Sequence, residues 1–394
     1  MFSHFKNSYL QGNCQDINSG VINRCVQRAW DEIKDINGYC LEPEFNKLTS
    51  EQPNIPIDIN PFKISEGFGR IALPKLRREL HSADIEIVIA ALTSLSDIVH
   101  YPERCYEAIR LKVTDRLVDL LCHELPPIRE RAAFTLKVLA GMAMGKEFIV
   151  NNEDLLENLL EKVEDEFVEV RIHVAACLEM IARYWKTADV LVEMGFIPIL
   201  LANLFDAVEI VEIHLDTLYL LFYCDGKQIA IDGNGFDILT KLLNVNEGPI
   251  LAKAVKALSS LCMIKEGRQL AKEYRLLNEL SRLLYDDRIE VHTAAAEAMI
   301  FCTIKSEEKI IASKIKGIPK RPIHLCKNRL NPSTQLFAIK ALTSLCEHPK
   351  VRNEVNEKYY GDVEKVQITS ERPEIQYFKN TLMQMLQWTP HRKN

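Results

Sequence analysis

One stretch of this 394-residue chain has the residue types of a phosphate cradle: Gly141-Met142-Ala143-Met144-Gly145-Lys146 places two glycines just ahead of a lysine. A nucleotide loop of that kind needs four residues between its glycines and a Ser or Thr after the lysine to hold magnesium. Here three residues intervene and Glu147 follows the lysine. Gly226-Lys227 and Gly267-Arg268 recur at a similar distance past an apolar anchor. The pattern therefore reads as a repeated turn in which glycine ends a helix in the left-handed conformation. The ten histidines offer no better chemistry. His173, His214 and His292 lie in Ala-rich stretches at different offsets, and none sits at metal-ligand spacing from Cys or carboxylates. Gly-x-Ser-x-Gly, His-Glu-x-x-His and the zinc deaminase pattern are all missing. No catalytic residue, metal site or cofactor is expected, and the chain is not expected to be an enzyme.

Charge clusters are the remaining candidates. Glu157, Glu161, Glu164, Asp165 and Glu166, with Glu153, Asp154 and Glu169 beside them, face only Lys162. Lys314, Lys316, Lys320 and Arg321, followed by Lys327 and Arg329, make a basic segment. Each is either a solvated face or one pole of a scaffold that orients between partners of opposite charge. The net charge of −6, from 49 basic and 55 acidic side chains, weighs against nucleic acid as a partner. No membrane and no small-molecule substrate is expected: even the apolar stretch from Gly195 to Cys224 is broken by Asp206, Glu209, Glu212 and Asp216. That stretch carries Phe196, Phe205, Tyr219, Phe222 and Tyr223. Most of them should be core, and any left exposed, with Tyr219 and Tyr223 foremost, is an interface candidate. The 11 cysteines form no Cys-x-x-Cys pair, and Cys177, Cys262, Cys302 and Cys346 sit in apolar patterns as small hydrophobes, as suits a reducing cytoplasm.

These side chains must be positioned by a repeated element. A small residue followed by a large apolar one, with a second apolar residue three further on, recurs at Leu92, Leu136, Leu178, Leu218, Leu258, Met299 and Leu342. Successive anchors lie 44, 42, 40, 40, 41 and 43 residues apart. About 19 residues before an anchor comes a second stripe, such as Leu117 with Leu120-Leu121 or Leu280 with Leu283-Leu284, whose spacing is helical. Each unit is thus a helical hairpin, with room for a short extra helix. The period belongs to the armadillo and HEAT class. The expected fold is all-α, a right-handed α-solenoid superhelix of about seven repeats, because a single unit cannot bury its own apolar stripe. This displaces the two or three compact domains that length alone suggests.

The ends depart from the repeat. Residues 1–61 form an extension with an amphipathic helix carrying Trp30 and a linker with three prolines between 51 and 61. The array runs over 62–355, and 356–394 supply a closing helix with Ile375, Phe378, Leu382, Met385, Leu386 and Trp388 on one face. Trp30 is a further interface candidate.

Armadillo proteins that grip extended peptides, nuclear import receptors among them, carry a ladder of Asn read here at two residues after the anchor. Those positions are Ser94, Val138, Met180, Leu220, Ser260, Phe301 and Ser344, so no Asn ladder is present. Recognition is expected instead through shape and apolar contact with a folded partner or a helix.

Phe68-Gly69-Arg70-Ile71-Ala72-Leu73-Pro74-Lys75-Leu76, followed by Glu79-Leu80, Ser82, Asp84, Ala91-Leu92, Leu95 and Asp97, resembles the radial spoke head protein 14 homologues, or rhabdoid tumour deletion region family. Pro53-Asn54-Ile55, Glu266-Gly267-Arg268 and Ala341-Leu342-Thr343 are similar to it too, while residues 1–52 depart from it. The resemblance implies a non-enzymatic, structural component of the radial spoke in the axoneme of motile cilia and flagella. It would be a cytoskeletal protein of the cytoplasm and cilium whose partners are other radial spoke and axonemal proteins. The alternative is a cytosolic armadillo adapter that binds cargo or signalling partners reversibly.

Overall fold

The computed structural model describes residues 69–223, 225–368 and 372–388. Among these residues the regular structure is helical, without strands. Eight long helices, numbered α1 to α8, set the frame: Ile85–Ile98, Pro126–Ala140, Val168–Ala182, Val208–Leu221, Gly248–Leu261, Ile289–Cys302, Pro332–Cys346 and Pro373–Gln387. Each packs on the next, α1 on α2 through to α7 on α8, so they form one ladder. The seven anchors all lie on α1 to α7, and every one is fully buried.

Their starts are written in the chain. The Asp84 carboxylate accepts the Glu86 N–H at 2.9 Å, and the Asn331 side chain accepts the Thr334 N–H at 3.1 Å. Pro126, Pro332 and Pro373 open α2, α7 and α8, where a missing N–H costs nothing.

Two short helices precede each of α2 to α8, as Pro102–Arg110 and Arg116–Leu121 precede α2. The Leu-Leu stripes lie on the second of the two, with Leu117, Leu120 and Leu121 buried. The expected hairpin is therefore a three-helix unit. The corner between the two short helices uses the left-handed backbone at Lys112, Gly195, Asn234, Arg275 and Gly317. The closing helix is itself a rung: helices Pro349–Lys358 and Tyr360–Glu364 lead into α8, which buries Ile375, Leu382 and Leu386 against α7. A boundary at 355/356 thus falls inside a helix. The 1–61 extension with Trp30 lies outside the described residues.

The recurring glycines differ from expectation. Gly145, Gly226 and Gly267 have ordinary negative φ and stand in the first turn of a short helix, not past the end of a long one. Glycine is needed there for space. A Cβ on Gly145 or Gly267 would lie 2.6 Å from the carbonyl carbon of Leu139 or Leu261, in the last turn of the long helix just left. In the fourth unit Thr187 holds this place and uses its hydroxyl, donating to the Ile181 carbonyl at 2.5 Å. Gly267→Ala is expected to destabilise the chain by about 1–3 kcal/mol, since backbone must move to admit the methyl. Gly361→Ala has open space around it and should be neutral or slightly stabilising. Urea midpoints for the pair check this.

Candidate protein interface

The ladder leaves one face of its long helices outside the core. Across α4 to α7 that face is hollowed into a groove of about 650 Å³. Asp216 and Tyr219 come from α4, Lys253 and Lys256 from α5, Thr293 and Glu297 from α6, and Phe337 from α7. The register explains the set: Asp216, Lys256 and Glu297 each stand two residues before their anchor, and Tyr219 stands one after it. Residues three apart on a helix share a face, so four helices aim comparable positions into one space.

The groove is charged in both signs. The Lys253 ammonium lies 3.1 Å from Glu212 Oε2 and 3.0 Å from Asp216 Oδ2. Burial pulls its pKa down, but the two carboxylates outweigh that and leave it above the ordinary value. Burial raises the Glu297 carboxyl, against the opposing pull of Lys256 and Lys340. Tyr219 is raised as well, by burial first and by Glu297 second. A partner laid here would meet alternating charges flanked by two aromatic rings.

Of the aromatic-rich segment, Phe196 and Phe222 are core, whereas Tyr219 is 44% and Tyr223 72% exposed. Tyr223 lies in a separate depression with Trp185, Val192 and Leu220. Tyr223→Ala is expected to leave stability within about 0.5 kcal/mol of the parent in thermal melts, as befits a side chain in solvent.

The acidic cluster divides. Glu157, Glu161, Glu164 and Glu166 are exposed. Asp165 is not part of that surface: it is buried, its carboxylate accepting from Arg129 Nε at 2.8 Å and Nη2 at 3.0 Å. The reason is a staple between units. Arg129 is the fourth residue of α2, and its Nη1 donates to the His123 and Glu124 carbonyls in the preceding loop. Arg171, fourth in α3, repeats this, donating to the Asp165 and Glu166 carbonyls while pairing with Asp206. His292 and Gln335 hold the same place in α6 and α7 and bond to the Asp286 and Cys326 carbonyls.

The basic cluster also divides. Lys314, Lys316 and Lys320 are exposed. Arg321 is half-buried and structural, donating from Nε to the Leu284 carbonyl at 2.8 Å with its guanidinium over the Tyr285 ring. Lys146, the lysine of the phosphate-loop look-alike, donates to the Met180 carbonyl, and burial lowers its pKa. It ties one unit to the next and faces no phosphate cradle.

The positions read as the Asn-ladder register do not floor the groove. Ser94 and Val138 are buried, and none of the seven lines it. Lys253, Lys256, Glu297 and Phe337 belong to no motif of the sequence, and their one signal is a position two or five residues before an anchor. Among the described residues no group of three His, Cys, Asp or Glu side chains could hold a metal ion, and no helix is long and apolar enough to cross a membrane.

No protein-family model matches the chain. Solved structures do. An engineered protein superposes with a TM-score of 0.60 at 18% identity, over 81% of this chain and 89% of its own. A computationally designed armadillo repeat protein for modular peptide recognition gives 0.54 at 22% identity, over 58% of this chain and 99% of its own. The fold is the armadillo repeat. A further designed armadillo protein, solved in complex with peptide (KR)4, matches with the same TM-score, identity and coverage. The armadillo assignment agrees with three helices per unit, where a HEAT unit has two.

Proposed function

We propose that this armadillo chain is a non-enzymatic scaffold that holds other proteins, and that it is built into the radial spoke of motile cilia and flagella. The observation that carries the first part is the groove across α4 to α7, where four successive units contribute charged and aromatic side chains to one surface. A designed armadillo protein of similar fold holds a peptide, which supports protein as the ligand class. The second part rests on the resemblance of residues 68–97 to the radial spoke head protein 14 homologues. In this reading the axonemal neighbours of the chain are its partners, and it contributes fixed spacing to the spoke.

Endogenous tagging with electron cryotomography of axonemes tests both parts. The expected result is density in the spoke, with spokes incomplete and beating impaired when the chain is deleted. Tagged protein confined to a soluble pool, with normal spokes after deletion, would sink the axonemal assignment and favour the reversible adapter.

A further inference from the structure

A second cavity, about 560 Å³, opens between the sixth and seventh units and shares no residue with the long-helix groove. Its floor is apolar, from Ala271, Leu277, Cys302 and Ile311. Arg268, Lys272, Arg275 and Lys314 also line it, so the basic segment noticed in the sequence meets three cations supplied by the preceding unit. Two of these are already engaged. Arg268 donates to the Cys262 and Met263 carbonyls, and Lys272 lies 2.6 Å from Glu307. Arg275 and Lys314 are exposed, with Lys316 and Lys320 close behind Lys314 in the chain. Deeper in, Glu308 is only 5% exposed. Its Oε1 is 3.5 Å from the Lys272 ammonium, and its Oε2 meets no donor.

These features ask for three things at once: an apolar group on the floor, a hydrogen-bond donor for Glu308 Oε2, and negative charge at Arg275 and Lys314. An inorganic anion brings no apolar group for the floor, and its charge would be repelled by Glu308. A basic peptide would be repelled by the cations around it. A peptide carrying acidic and apolar side chains supplies all three, since its backbone N–H groups are donors. We propose that this cavity docks an acidic, apolar-bearing segment of a partner protein. The Glu308 carboxylate receives a backbone N–H, an apolar side chain seats on Ala271 and Ile311, and flanking carboxylates pair with Arg275 and Lys314. This inference rests on the protein-binding reading and uses nothing of the axonemal one.

The test is fluorescence anisotropy of the full chain with a labelled eight-residue peptide alternating glutamate and leucine. Binding is expected to be saturable and to weaken at least about tenfold in Arg275→Glu/Lys314→Glu, two surface changes whose folding is checked by circular dichroism. The groove variant Lys256→Glu/Lys340→Glu should bind as the parent does. Equal binding of a lysine-leucine peptide, or full displacement by inorganic phosphate at constant ionic strength, would overturn the proposal. Loss of binding in the groove variant alone would also overturn it while leaving the protein-binding reading intact.

Discussion

Asp165→Ala is expected to destabilise the chain by about 3–5 kcal/mol, the cost of leaving a buried charge without its partner. The Arg129 side chain is 7% exposed and that of Asp165 2%, so water cannot replace the lost carboxylate. Arg129 would keep its bonds to the His123 and Glu124 carbonyls and a long 3.4 Å contact to the exposed Glu166, but lose the bidentate pair. The Phe167 N–H, which Asp165 Oδ1 accepts at 3.0 Å, would lose its cap at the start of α3. Replacing both partners, as Arg129→Met with Asp165→Leu, should recover only part of the loss, because an apolar pair carries no desolvation penalty but leaves the His123 and Glu124 carbonyls and the Phe167 N–H without their partners. Units in a solenoid contact only their neighbours, so damage should concentrate at the second and third units. Urea denaturation gives the magnitude, and amide hydrogen exchange shows where protection is lost. A variant within about 1 kcal/mol of the parent would mean that the pair is not a staple.

The second large effect is acid lability below neutrality. His214 is 1% exposed, and neither ring nitrogen has a partner. Burial pushes its pKa from 6.5 down to about 4, with Asp206 pulling weakly the other way. The unfolded chain therefore takes up this proton near pH 6.5, while the folded chain resists it until about pH 4. Stability is whole above 6.5, falls as pH drops from 6.5 towards 4, and levels off below. The gap corresponds to on the order of 3 kcal/mol. His173, half-buried against the Phe134 ring, is lowered to about 4 by burial and by Lys137 and Arg131, and adds in the same direction. Asp286, held near 2 chiefly by its Arg288 bond, loses its contribution in a lower window, between 3.8 and about 2. Urea midpoints from pH 7.5 to 4 should therefore fall steeply for the parent and less so for His214→Leu. Parallel curves for the two would remove His214 as the cause.

The repeat was legible because its strongest signal is apolar periodicity, and the anchors and Leu-Leu stripes are the most deeply buried positions. The first short helix of each unit was harder to read. Lys265–Glu273 buries only Gly267, Arg268 and Ala271, so it has almost no apolar stripe to find. Gly267 there answers to crowding rather than to φ, which a single sequence does not display. A linear charge pattern treats all carboxylates alike, so it does not separate the buried Asp165 from its exposed neighbours. Its partner stands 36 residues earlier, close to one repeat, which is where a search for pairs in a solenoid should look. Residue type alone marks Tyr219, whereas Lys253 and Glu297 stand out only by their register, five and two residues before the anchors Leu258 and Met299.

The staples are unevenly distributed. Arg129–Asp165 and Arg171–Asp206 join the second, third and fourth units in series, but Val211 and Leu251 hold the equivalent places in α4 and α5 and can form no such bond. A pull along the array would load these charge-clamped joints at the loops of its first half, whereas between the fourth and fifth units the clamp moves to the long helices themselves, where Lys253 holds Glu212 and Asp216. The molecule would then behave as a spring whose compliance is set joint by joint, by where each clamp sits.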